Sequence, residues 1–114
     1  MGIVEVARGD VVLMVVPSDL GRPRPGIVVQ ADELTAEFST ILICPISSDL
    51  QEQLLIRPLI EATPVNGLRL PSQIMTDKLV ALRRDRIRRV IGHIDRETSE
   101  QLDRALLVVL GLTR

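Results

Sequence analysis

Tryptophan and tyrosine are absent from this chain of 114 residues, and phenylalanine, cysteine and histidine occur once each, as Phe38, Cys44 and His93. Each scarcity excludes something. A lone cysteine closes no internal disulfide and builds no thiolate zinc site. Within the apolar run Ile41-Leu42-Ile43-Cys44-Pro45-Ile46 it reads as a small core side chain. One histidine removes the His-rich metal sites and, with no usable cysteine, the common nucleophilic triads. Neither a GxGxxG nor another glycine-rich phosphate loop is present, and no cofactor or metal is expected. A single aromatic provides no platform on which to stack bases, and a formal net charge of −1 marks no basic surface. Any nucleic-acid site must therefore be local and built from placed arginines. No apolar run approaches the roughly 20 residues that cross a bilayer, and the start of the chain lacks a signal-peptide pattern. The expected location is the cytoplasm, with no membrane partner.

What is present is aliphatic. Hydrophobic residues make up 46% and charged residues 25%, the composition of an ordinary globular domain. The length suits one domain over 1–114, without repeats or a dividing linker. The first half reads as strands: Asp10 to Val16, ended by Pro17-Ser18-Asp19, then Ile27 to Gln30, then Thr40 to Ile46. Gly21-Arg22-Pro23-Arg24-Pro25-Gly26 between them reads as a loop, because two prolines and two glycines oppose helix and ladder alike. Strands this apolar are expected to be buried on both faces, as in a small closed barrel. Gln53 to Leu59 reads as a fourth strand with Pro58 at an edge. Asn66-Gly67 is a turn signal, with Leu68 to Leu70 and Ser72 to Leu79 extended around it. Val80 to Ile91 is open between readings, one being a helical turn at Arg83 to Arg86 between two short strands. A terminal helix is the clearest element. Asp95 is its N-cap, Leu102, Ala105, Leu106, Val109 and Leu110 form one apolar face, and Gly111 stops it. The class is α+β, mainly β.

With the usual nucleophiles excluded, arginines, hydroxyls and carboxylates remain, a set suited to cutting RNA. There the substrate's own 2′-OH attacks phosphorus, and the enzyme moves protons and steadies the phosphorane. Arg24, held in a Pro-Arg-Pro segment before a buried strand, has the donor fork that matches phosphate oxygens. Its plainer alternative is a surface arginine in a turn. Ser47 and Ser48 follow the third strand, where hydroxyls either bind phosphate or cap the strand. Asp77 interrupts a mixed apolar stretch and reads as a general acid or base, or as an exposed residue paired with a neighbouring cation. Arg83, Arg84, Arg86, Arg88 and Arg89 are the densest basic stretch, either tracking an RNA backbone or forming a solvated face offset by acids. His93, beside the terminal helix, reads as structural.

Taken in order, these segments resemble the MazF/PemK toxin family from about Arg8 to Leu112. The carriers are Arg8-Gly9-Asp10-Val11, Arg24-Pro25-Gly26 with its apolar strand, Thr40 to Ser48, Gly67-Leu68 through Asp77-Lys78-Leu79, and Ile91-Gly92-His93-Ile94-Asp95 with the closing helix. The resemblance implies an SH3-like small β-barrel, usually a homodimer. It also implies a metal-independent, sequence-specific endoribonuclease that cuts single-stranded RNA to a 2′,3′-cyclic phosphate and is silenced by a cognate antitoxin protein. By position it implies Arg24, Ser47 and Asp77 as catalytic groups, and we add Arg22, Ser48, Lys78, Arg83 and Arg84 as RNA-binding candidates. The segment from Pro17 to Arg24 is shorter than the family's, Met75 stands where some members carry an arginine, and Lys78 replaces a glutamine. Two alternatives share the scaffold: a CcdB-like toxin that binds DNA gyrase without cleaving, and a degenerate member that only dimerises and binds antitoxin.

Overall fold

The computed structural model describes residues 4–17, 20–53 and 55–113. Seven strands run in chain order β1 (Asp10–Val15), β2 (Pro23–Val28), β3 (Thr40–Ser47), β4 (Leu59–Ile60), β5 (Ser72–Ile74), β6 (Val80–Arg83) and β7 (Ile87–His93). Two helices accompany them, a single-turn α1 (Asp32–Thr35) and the terminal α2 (Arg96–Val109). The pairing is antiparallel throughout, in the order β4-β5-β3-β2-β1-β7. β3 is the pivot: one edge meets β2, while the other meets β6 through Thr40–Ile43 and β5 through Ile46–Ser47. Two short strands, β6 and β5, thus share one edge of β3 end to end, and the sheet curls into a half-barrel.

Burial on both faces explains the aliphatic composition. Val11, Ile27, Cys44, Ile46, Ile74 and Leu102 fill one core, beneath α2. Val12, Met14, Val28, Ile41, Ile43 and Leu82 fill the other. Adjacent residues such as Val11 and Val12 therefore both disappear from solvent on opposite faces. α2 begins as expected: the Asp95 carboxylate accepts from the Thr98 N–H at 2.8 Å, which depresses the Asp95 pKa. Leu102 and Ala105 bury its inner face. Among the described residues no helix is long and apolar enough to cross a membrane.

Several expectations are corrected. The segment 21–26 is not wholly loop, since Pro23 and Pro25 pair with Val15 and Leu13. The reason lies in which edge they spoil. The Val29 N–H donates to Leu42 on β3, so by alternation the missing N–H groups of Pro25 and Pro23 face the β3 side too. There the β2–β3 ladder has already stopped, at Gly26 opposite Pro45. The stretch 53–59 is not a strand until Leu59; before it, Ile56 and Arg57 both donate to the Gln53 carbonyl, which winds a turn. Leu68 to Leu70 is not extended strand, and the strand from Ser72 ends at Ile74. A 3-10 turn, Thr76–Lys78, follows and carries Asp77 out of the sheet. The turn at Arg84–Arg86 between β6 and β7 does form. Ser18, Asp19 and Leu54 lie outside the described residues.

Candidate active site

Antiparallel counting places two candidates together. Gly26 pairs with Pro45, and two residues beyond that last pair stand Arg24 on β2 and Ser47 on β3. Both residues line a cleft of about 910 Å³, as do Ser48, Asp49, Arg69 and Arg89. Arg24 also sits opposite Met14 on β1, whose side chain is fully buried. The Ser47 hydroxyl accepts from the Asp49 N–H at 3.1 Å. That bond occupies one acceptor site and leaves the hydroxyl proton to donate elsewhere.

More of the cleft lining comes from β7 and from the segment before β5. Arg89 lies across from Leu13, which on its other side meets Pro25. Arg69 follows a turn that is fixed from within. The buried Asn66 carbonyl oxygen accepts from Thr63 and Leu68, each at 3.0 Å, and its amide donates to the Glu61 carbonyl at 2.7 Å. The turn lies against β7 through two glycines. Gly67 has φ +72°, and a Cβ there would stand 2.3 Å from the Ile91 carbonyl oxygen. A Cβ on Gly92 would stand 2.3 Å from the Val65 carbonyl oxygen. No side chain fits at either position, so backbone packs on backbone and the Arg69 wall is held.

The floor near β5 is equally fixed. Gln73, 1% exposed, accepts from the Gln51 N–H at 2.6 Å and donates to the carbonyls of Gln51 and Arg57 at 2.9 and 3.1 Å. Thr76 donates to the Ile56 carbonyl. Asp77 closes the frame: both its oxygens accept from Arg57, at 3.0 and 2.9 Å. The Arg57 hydrogen bonds hold the Asp77 carboxyl below its ordinary range, and the same contact raises Arg57. Asp77 does not line the cleft, although its neighbour Met75 does.

The remaining candidates scatter. Arg22 stands exposed just before β2, and Lys78 is exposed beside Asp77. Arg83 and Arg84 line a different groove of about 1250 Å³, between the 4–7 segment, α1 and the Arg84–Arg86 turn. There Arg83 is paired with Asp85, and Arg84 donates to the carbonyls of Thr35 and Phe38. Their density in sequence arises from a turn and a strand whose residues point different ways. His93 is exposed and serves the fold through its N–H, which donates to Val65 at 3.0 Å. Cys44 is fully buried, and burial pushes its thiol up to about 12. Sequence reasoning missed Arg69 altogether and left Arg89 undistinguished from its neighbours. The Asn66-Gly67 turn was the one available signal for the first.

A family model for PemK-like, MazF-like toxins of type II toxin-antitoxin systems matches residues 7–110. A probable endoribonuclease MazF from Mycolicibacterium smegmatis is 34% identical over 92 residues, covering 81% of this chain and 84% of the relative. The fold is that of the Mycobacterium tuberculosis toxin MazF-mt6, with a TM-score of 0.79 at 18% identity over 92% of this chain and 99% of that one. It is equally that of a mycobacterial endoribonuclease solved in complex with its cognate antitoxin, with a TM-score of 0.81 at 15% identity over 96% and 99%. The curled sheet, the helix that covers it and the match along nearly the whole chain agree: this protein belongs to the PemK-like, MazF-like family of type II toxins.

Proposed function

We propose that this toxin cuts single-stranded RNA in the cytoplasm with its own side chains and no metal, using Arg24 and Ser47 at the centre of the cleft. The observation that carries the reading is that a guanidinium and a hydroxyl, each two residues beyond the last β2–β3 pair, line one open cleft. In the reaction the substrate's 2′-OH loses its proton and forms a bond to the adjacent phosphorus. The bond from phosphorus to the 5′-oxygen breaks, and that oxygen takes up a proton. A 2′,3′-cyclic phosphate remains. Charge builds on the non-bridging oxygens as the phosphorane forms, and the Arg24 fork stabilises it there more than in the ground state. The Ser47 hydroxyl, oriented by Asp49, donates to the same group, with Ser48 beside it. Asp77 takes a positioning role: bound at both oxygens to Arg57, it fixes the Thr76–Lys78 turn, and the same pairing makes it a weaker base.

A cognate antitoxin is the natural partner, as in the mycobacterial complex and the MazE–MazF structures from Deinococcus radiodurans. The working unit is a homodimer. Leu107, Val108, Leu110 and Leu112 are exposed at the end of α2, an apolar edge that a second copy would cover. Sedimentation at micromolar concentration should give twice the chain mass, and a monomer would contradict this.

The chemistry is tested by replacing the ribose at a mapped cleavage site with 2′-deoxyribose. Loss of cutting at that bond, with a cyclic phosphate on the natural product, is the expected result. Cutting of the deoxy substrate would exclude attack by the 2′-OH.

A further inference from the structure

The cleft differs in charge from the chain that builds it. Its lining carries three arginines, Arg24, Arg69 and Arg89, against one carboxylate, Asp49, although the whole protein has a net charge of −1. Arg24 is not without a partner, and most arginines elsewhere are committed. Arg8 pairs with Asp103 at 2.8 Å and Arg57 with Asp77 at 2.9 Å, Arg83 pairs with Asp85, and Arg96 pairs with Glu100 at 3.4 Å. Arg84 and Arg88 are tied to carbonyls. Among the described residues Arg69 and Arg89 make no ion pair or side-chain hydrogen bond, and both are exposed. Both stand on rigid supports, Arg69 beyond the Gly67 turn and Arg89 within the β1–β7 ladder.

A guanidinium held on a fixed backbone, with its donors unused and no carboxylate spent on it, is prepared for an anion. The two line the same cleft as Arg24 and Ser47. We infer that Arg69 and Arg89 are binding residues for the RNA phosphates flanking the one that is cut, in the cleft they share with Arg24 and Ser47. This rests on the ribonuclease reading and gives it a track for the strand. It also accounts for RNA binding with a single aromatic in the chain: the strand is held by its phosphates rather than by stacking.

Each phosphate neutralised on a single strand contributes about 0.7 to the slope of log affinity against log salt. The probe is a fluorescent, 2′-O-methylated oligonucleotide bearing the wild-type protein's own mapped cleavage sequence. Its binding is followed by anisotropy from 50 to 200 mM salt. R69Q and R89Q should each lower the slope by about 0.7 and the double variant by about 1.4. Over that fourfold salt range the double variant then loses about sevenfold less affinity than wild type. R69K and R89K should keep the slope, and R96Q should not change it. Under saturating RNA the Gln variants should cut at near the wild-type kcat with a raised KM. A wild type that binds and cuts while the double variant keeps the full slope would overturn this inference and leave the ribonuclease reading standing. A wild type that neither binds nor cuts would overturn both. If polyglutamate binds with the same dependence on Arg69 and Arg89 while RNA shows none, the wall is a protein-docking site and the inference fails.

Discussion

Two concavities flank this half-barrel, and arginine means something different in each. In the groove by α1, three arginines meet four carboxylates: Arg83, Arg84 and Arg88 against Glu5, Asp32, Glu37 and Asp85. Arg83 is paired with Asp85, while Arg84 and Arg88 hold carbonyls that fasten the 35–38 and 84–86 turns. In the cleft by β2 and β3, three arginines share one carboxylate, and Arg69 and Arg89 are tied to nothing among the described residues. The first set is structural and the second is prepared for a polyanion. Density along the sequence pointed to the first set. What distinguishes Arg69 and Arg89 is the lack of a side-chain partner among the described residues, a property of the fold.

The sharpest way to break this contrast is at the centre of the cleft. Arg24→Ala should lower cleavage by about a hundredfold or more, as loss of a transition-state donor does, with Tm unchanged because Arg24 is exposed. Next comes the wall. Gly67→Ala must place a Cβ at φ +72° and 2.3 Å from the Ile91 carbonyl oxygen. It should cost about 3 kcal/mol, roughly a 10 °C fall in Tm by calorimetry. The frame follows. Asp77→Asn should cost about 1 kcal/mol at pH 7, a modest figure because the pair is partly open to water. The Asp77 pKa is lowered on folding, so its contribution is complete above the unfolded value near 4 and is lost as pH falls below it. Urea titrations of wild type and variant should therefore differ at pH 6 and converge near pH 2. Smallest of all, R83Q in the α1 groove should leave the salt slope of RNA binding where it was. A fall matching that of R69Q would erase the contrast between the two concavities. Cys44 should resist thiol reagents until the protein unfolds, since burial raises its pKa to about 12.

Much of this was legible in the sequence for local reasons. Asp95 with a helical aliphatic stripe announces α2, and paired aliphatics such as Val11-Val12 announce a sheet buried on both faces. Arg24 and Ser47 were legible as an arginine and its hydroxyl partner through the family resemblance, and the fold adds that both line one cleft. The prolines at 23 and 25 misled because their effect depends on which edge of a strand is unpaired, and one sequence does not state its neighbours. Asp77 was legible as a carboxylate that either does chemistry or pairs with a cation, and the 3-10 turn that sets it against Arg57, twenty residues away, supplies the cation. Arg69 stood in no motif and gained significance only from the turn that carries it to the cleft.

The most direct test is a cleavage assay on a long single-stranded RNA in EDTA, wild type beside folded Arg24→Ala, with fragment ends mapped. The account predicts cuts at a short recurring sequence by wild type and almost none by the variant. An inert wild-type dimer on diverse RNAs, or an Arg24→Ala variant that cuts as well as wild type, would contradict it.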